Sequence, residues 1–329
     1  MNRLLFVVCV ALSAFIGEVS CSAGNIWTYR GYLGPDHWHL DYPHCGGVKQ
    51  SPISIDTKDA IVDMYRLTPV VFKGYSSVTN VTYTLENNGH TVKVSLNENY
   101  NEITGSGLPG TFVASQFHFH WGAVDERGSE HDVNGVHFPM EMHLVHYNKK
   151  YDNISTAVDK DDGLAVLGFF FRIGRHNRHL ENVIRHFKQI KYRDSHMEIK
   201  PVPLVSLIPR DLSKFYRYEG SLTTPPCYES VTWTLFNETI EIAEEQLEDF
   251  RTTILENIKG DDDVPMDISD DFRPAQCLFR RRVYASHPSL RYQVQYDIDI
   301  EDDNSSETVV GQITILIIGF ATFFLFSTL

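Results

Sequence analysis

Apolar and polar residues alternate with period two along several short stretches, the pattern of strands that turn one face to a core. The clearest is QFHFHWG at 116–122. Phe117, Phe119 and Trp121 there point to one side of a strand, and Gln116, His118 and His120 to the other. In EMHLVHYN at 141–148, Glu141, His143 and Val145 share a face in the same way. Further strand signals lie at 81–85, 91–96 and 231–236, and the wholly apolar run at 164–171 predicts a central strand covered on both faces. Asn87, Asn88 and Gly89 separate the first two as a hairpin turn. Spacings of three and four among Leu180, Val183, Ile184 and Phe187, and among Leu247, Phe250 and Ile254, predict short peripheral helices. The whole reads as a predominantly β, α+β domain.

At 329 residues and 42% apolar content the chain can bury one large core, and no repeat divides it. Its 43 acidic residues outnumber 29 basic ones, which argues against nucleic acid as a partner, since phosphate binding needs a basic surface.

Both ends read as processing signals. Arg3, an apolar run at 4–16 and small residues at 20–23 read as a cleaved secretory signal peptide, 1–23, whose apolar run is too short to span a bilayer. The domain is expected over 24–296 and an acidic stalk over 297–304. Residues 305–329 have the spacer and uncharged hydrophobic end of a glycosylphosphatidylinositol (GPI) signal, with attachment at Asn304 and the tail removed. The alternative is a single transmembrane helix over 309–329, but it lacks a cationic stop-transfer flank. Either way the domain is expected at the extracellular face of the plasma membrane. Sequons at Asn80, Asn153 and Asn237 fit that route, and Asn304 lies in a fourth. Once the signal peptide takes Cys9 and Cys21 with it, Cys45, Cys227 and Cys277 remain, and in an oxidising compartment two of them should pair; the count does not choose which.

His118 and His120 aim at one point, and a neighbouring strand would bring His143 to it. Three neutral imidazoles with a vacant fourth position make a catalytic zinc site. A His-x-His pair arises by chance in a chain with fifteen histidines, so the weight falls on the neighbours. Gln116 and Glu141 each lie two residues before a histidine on the same strand face, where they can accept the second ring N–H and fix the tautomer.

With these residues assembled, the chain resembles the α-class carbonic anhydrases, specifically an extracellular, membrane-anchored member. The resemblance runs from about Trp27 to His287. It rests on GPDHW at 34–38, QSPI at 50–53, NNGH at 87–90, QFHFHWG, GSEH at 128–131, EMHLVHYN and DGLAVLG at 162–168. GSLTTPPC at 220–227, VTW at 231–233 and FRPAQ at 272–276 complete it. It implies a central, twisted, mostly antiparallel sheet of about ten strands with peripheral short helices, and one zinc ion at the bottom of a cone. His118, His120 and His143 would be its ligands, with Gln116 and Glu141 behind them. The activity implied is reversible hydration of CO₂ to bicarbonate and a proton by hydroxide on the zinc.

By the same likeness Thr223 orients that hydroxide and donates to Glu130, while Val145, Val166, Leu222, Thr224, Val231 and Trp233 form the CO₂ pocket. His90 matches the proton shuttle, and an ordinary imidazole pKa near 6.5 suits that role. Tyr29 and Asn88 would help hold its water chain. Cys45 and Cys227 match the disulfide of extracellular members, which leaves Cys277 unpaired. Lys93 departs from the small or amide side chains usual on that wall and places a positive charge near the cone's mouth. A bicarbonate or proton transporter is a compatible partner, and nothing in the pattern specifies an oligomer. The alternative function is a carbonic-anhydrase-like binding or adhesion module. Members of that kind lack one or more zinc histidines, whereas this chain keeps all three.

Overall fold

The computed structural model describes residues 26–79, 81–97, 101–260 and 263–291. The signal peptide, the stalk, the hydrophobic tail, Asn80 and Asn304 lie outside them.

Strands form where the alternation predicts them and run slightly further. In chain order they are β1 (Ser54–Ile55), β2 (Ile61–Val62), β3 (Val71–Lys73), β4 (Thr82–Asn87), β5 (Val92–Asn97), β6 (Glu102–Thr104) and β7 (Phe112–Trp121). There follow β8 (Asp132–Val133), β9 (Met140–Asn148), β10 (Leu164–Ile173), β11 (Ser195–Ile199), β12 (Phe215–Gly220), β13 (Val231–Ile242) and β14 (Tyr284–Ala285). The main sheet has 12 strands, in the order β11-β4-β5-β7-β9-β10-β13-β12-β14-β2, with β3 and β6 branching from β7. Along that path only β10·β13 and β14·β2 are parallel, so the expected mostly antiparallel sheet is present. β1 and β8 pair separately.

The two sheet faces carry two cores. Phe117, Phe119, Met142, Leu144, Leu167 and Phe169 belong to the larger, under helices α3 (Glu181–Ile184) and α4 (Glu244–Thr253). Helical spacing at 180–187 resolves into α3 followed by a 3₁₀ turn at Phe187–Gln189, while α4 presents buried Leu247 and Phe250 to Phe119, Trp121 and Phe187. Each such buried ring contributes roughly 2–3 kcal/mol. The opposite face holds Val145, Val166, Trp233, Leu235 and Tyr218, and the predicted site histidines lie on it. β10 is covered on both sides, as its continuous apolar run predicts.

The β4–β5 turn needs Gly89, whose φ of +83° places it where a side chain is strained and would collide with Arg193. Asn88 closes the turn by accepting from the backbone N–H groups of His90 and Thr91. Two short helices complete the set, α1 (Trp38–Asp41) and α2 (Ile154–Ala157). Exposed Asn153 caps α2, and its side chain accepts from the Thr156 N–H. Asn237 is partly exposed on β13.

Cys45 and Cys227 are bonded across 182 residues, and Cys277 is free and exposed. The bond ties the N-terminal aromatic cluster of Trp27, Tyr29 and Trp38 to the loop after β12. Replacing both Cys45 and Cys227 by Ser should cost about 2–5 kcal/mol, because closing so long a loop restricts the unfolded chain; urea unfolding of the two proteins measures it.

Candidate metal centre

β7 and β9 run antiparallel with His118 directly opposite His143, and His120 lies two residues along β7 on the same face. Ligand-capable nitrogens of the three lie within 4.8 Å of one another. His120 and His143 are buried and His118 is half-buried.

Hydrogen bonds determine which nitrogen of each ring carries the proton. His118 Nδ1 lies 2.9 Å from Gln116 Oε1, and His143 Nε2 lies 2.7 Å from Glu141 Oε1. His120 Nδ1 lies 2.7 Å from the Asp271 carbonyl oxygen. Each partner is an acceptor, so each of these nitrogens is the protonated one. His118 Nε2, His120 Nε2 and His143 Nδ1 therefore turn bare lone pairs toward one another. Gln116 and Glu141 occupy the places expected of them; Asp271 was not foreseen, because a backbone carbonyl 151 residues away leaves no mark in a strand pattern.

Two observations test whether a cation fits. His118 Nε2 and His143 Nδ1 are 3.3 Å apart although neither has a proton to share, and His120 Nε2 is buried with no hydrogen-bond partner among the described residues. An N–N separation of about 3.3 Å is what two nitrogens show when each lies ~2.0–2.1 Å from one tetrahedral zinc. Burial also favours the neutral form of two of these rings, His118 and His120. It drives His118 well below the ordinary histidine range, helped by His120, His143 and Lys93, and it lowers His120 against the pull of Glu130. The residues fit a single zinc ion.

Glu141 links this cluster to the rest of the fold. Its carboxylate accepts from the His131 ring at 2.8 Å and from the His131 backbone N–H at 2.9 Å, in addition to His143. Burial alone would raise its pKa, but the histidines beside it hold it far below the usual carboxylate range. His131 Nε2 lies 2.7 Å from the Tyr218 hydroxyl, which in turn lies 2.8 Å from Ser51 Oγ. Ser51 Oγ accepts from the Ser221 N–H, two residues before Thr223. No periodicity could have revealed this relay, although His131 stands in the GSEH string. Gly168 sits beside Glu141; a Cβ there would meet its Oε1 at 3.3 Å.

Glu130 also reaches the cluster, with Oε2 3.4 Å from His120 Nε2 and without a hydrogen-bond partner among the described residues. Its Oε1 accepts from the backbone N–H of Arg273. The buried Arg273 guanidinium donates to Gln50 Oε1 and to the carbonyls of Ser51 and Cys45, fastening the disulfide segment beneath the site.

Above the histidines opens a cavity of about 120 Å³ lined by Gln116, His118, His143, Val145, Val166, Leu222, Thr223, Thr224 and Trp233. Ile154, Val158 and Leu164 complete the wall and were not singled out from the sequence. Val231 packs in the core beneath these residues.

His90 does not line this cavity. Its ring stacks on Trp27 with centroids 3.7 Å apart, in a second pocket that includes Tyr29 and Arg193. Burial, and then the Arg193 charge, push its pKa down to about 4, so the ordinary value expected of a shuttle does not hold in this position. Lys93, expected to place a positive charge near the cone's mouth, is paired with Glu86 at 2.8 Å.

Three imidazoles with fixed tautomers beneath a small cavity on one large sheet form a donor set that leaves a fourth coordination position open. A profile of eukaryotic-type carbonic anhydrases matches residues 33–287. Human carbonic anhydrase 12 is 39% identical over 296 residues, 88% of this chain and 82% of that protein. The chain belongs to the eukaryotic-type carbonic anhydrase family. It is an enzyme of the carbonic anhydrase class, acting on CO₂ and bicarbonate.

Glu141→Gln should weaken zinc binding about 10–100-fold in a chelator competition, because an amide cannot accept all three N–H groups that the carboxylate accepts. Trp27→Ala should raise the His90 titration midpoint, followed by NMR, from about 4 toward ~6.5 as the ring regains water. A midpoint that stays near 4 would assign the depression to Arg193 instead.

Proposed function

We propose that this enzyme hydrates CO₂ at a single zinc ion held by His118 Nε2, His120 Nε2 and His143 Nδ1. The observation that carries the assignment is the set of three proton-free nitrogens, each fixed by a separate acceptor behind its ring. Zinc bound there supplies a Lewis acid that lowers the pKa of a coordinated water to about 7, a value established on carbonic anhydrases themselves.

The chain's own residues do the rest. Thr223 offers its hydroxyl to the attacking oxygen, accepting a hydrogen bond from it and donating its own proton to Glu130. As a carboxylate Glu130 can only accept, so the direction of both bonds follows. Its unpartnered Oε2 and the presence of Thr223 on the cavity wall support this reading. CO₂ has no charge to grip, and Val145, Val166, Leu222 and Trp233 give it an apolar wall, with Thr224 at its edge. Val231 supports that wall from below.

The released proton leaves through His90, with Tyr29 and Asn88 helping to order water on the way. To load near neutral pH the ring must swing off Trp27, since the stacked position favours its neutral form. Asn88 fixes the turn from which it swings.

The enzyme works at the extracellular face of the plasma membrane, anchored through glycosylphosphatidylinositol at Asn304 after loss of residues 1–23 and 305–329. The Cys45–Cys227 bond supports an oxidising compartment. Asn153 and Asn237, each at least partly exposed, and Asn80 carry glycans. A bicarbonate or proton transporter is the partner such a location would serve.

Stopped-flow CO₂ hydration with zinc quantified tests the core of this proposal. Wild type should hydrate CO₂ rapidly with one zinc per chain, and His118→Ala should lose both. Thr223→Ala should keep its zinc and lose about 100-fold in kcat, the usual effect of removing one preorganised hydrogen bond. Full zinc occupancy without hydration in wild type would overturn the catalytic reading in favour of a binding module.

A further inference from the structure

A single row of side chains crosses the sheet through the metal centre. Glu86 on β4 is opposite Lys93 on β5, Lys93 is opposite His118 on β7, and His118 is opposite His143 on β9. Residues paired in register project from the same face, with Cβ atoms about 4.5–5.5 Å apart. Lys93 is thus one strand from a zinc ligand and Glu86 two strands away. Lys93 Nζ and Glu86 Oε2 are 2.8 Å apart, with side chains 28% and 29% exposed. The pair is therefore partly shielded, and the register orders it, with Lys93 on the strand next to His118 and Glu86 one strand farther away.

The reaction changes the charge of what occupies the cavity. CO₂ enters neutral and bicarbonate leaves as an anion, above two buried carboxylates, Glu130 and Glu141. Both repel an anion. We propose that the Lys93–Glu86 pair is an oriented dipole that sets anion affinity at the metal centre. Lys93 attracts bicarbonate and competing monovalent anions, and Glu86 is a positioning residue that holds the ammonium in the row beside His118 and offsets part of its attraction. The pair adds selection by charge from beside the cavity to the apolar lining of the cavity itself. This inference rests on the zinc assignment above.

Equilibrium binding isolates the effect better than rates, because the overall equilibrium ties forward and reverse kcat/KM together. The probe is thiocyanate, titrated at low ionic strength against the cobalt(II)-substituted protein and followed by its visible absorption. A unit charge at about 8 Å, under screening between that of water and that of a protein surface, changes affinity about two- to thirty-fold. Glu86→Gln should tighten thiocyanate by that factor and Lys93→Met should weaken it by a similar one. The double variant should fall between wild type and Lys93→Met, and all differences should shrink at 0.5 M ionic strength of a non-coordinating salt.

Opposite shifts in the two single variants support the dipole. Shifts in the same direction would show that the pair only props the strands, and unchanged affinities would show that its field does not reach the metal; both overturn the proposal. Failure of wild type to take up cobalt or zinc would instead overturn the metal assignment, and this inference with it.

Discussion

Three imidazole lone pairs converge where the protein leaves them no proton to share. Two acceptor nitrogens 3.3 Å apart, beside a third with no hydrogen-bond partner among the described residues, repel unless a cation lies between them. The surrounding fold holds this arrangement in place. The large sheet fixes His118 opposite His143 by register, and a slip of one residue on either strand would turn a ligand into the opposite core. The aromatic residues that alternate with the histidines on β7 are packed against α4, so the same strand that presents the ligands is anchored from behind.

The acceptors behind the rings matter as much as the rings. Glu141 serves His143 and His131 at once, and the bonds continue through Tyr218 and Ser51 to Ser221, at the start of the segment that carries Thr223. Glu130 is fastened by Arg273, whose guanidinium also holds Cys45 and Ser51. Ligand orientation, the proposed gatekeeper and the disulfide thereby belong to one hydrogen-bonded body. A catalytic site that needs atoms placed to a few tenths of an ångström is built here on strands, with its loop tied back to them.

The cavity lining is largely aliphatic and aromatic and suits a neutral molecule, while the Lys93–Glu86 pair lies in the same cross-strand row as His118. His90 stands apart from both, stacked on Trp27 in a neighbouring pocket, so the proposed shuttle role requires its side chain to turn from the hairpin that Asn88 closes.

By itself the sequence determined what local rules can carry. Alternation in QFHFHWG and EMHLVHYN placed the ligands on one strand face and the core on the other, and Gln116 and Glu141 were legible because a spacing of two on a strand is a shared face. The many ordered motifs carried the family. Tertiary structure alone decided what depends on distant pairing: the Asp271 carbonyl behind His120, the His131–Tyr218–Ser51 relay, and Ile154 and Val158 on the cavity wall. It also lowered the His90 pKa by burying the ring beside Arg193, and it gave Lys93 a counter-ion in Glu86. The physical reason is common to all of these. A side chain's face follows from the backbone period of its own strand, whereas its burial, its partners and its charge state follow from whatever the fold brings against it.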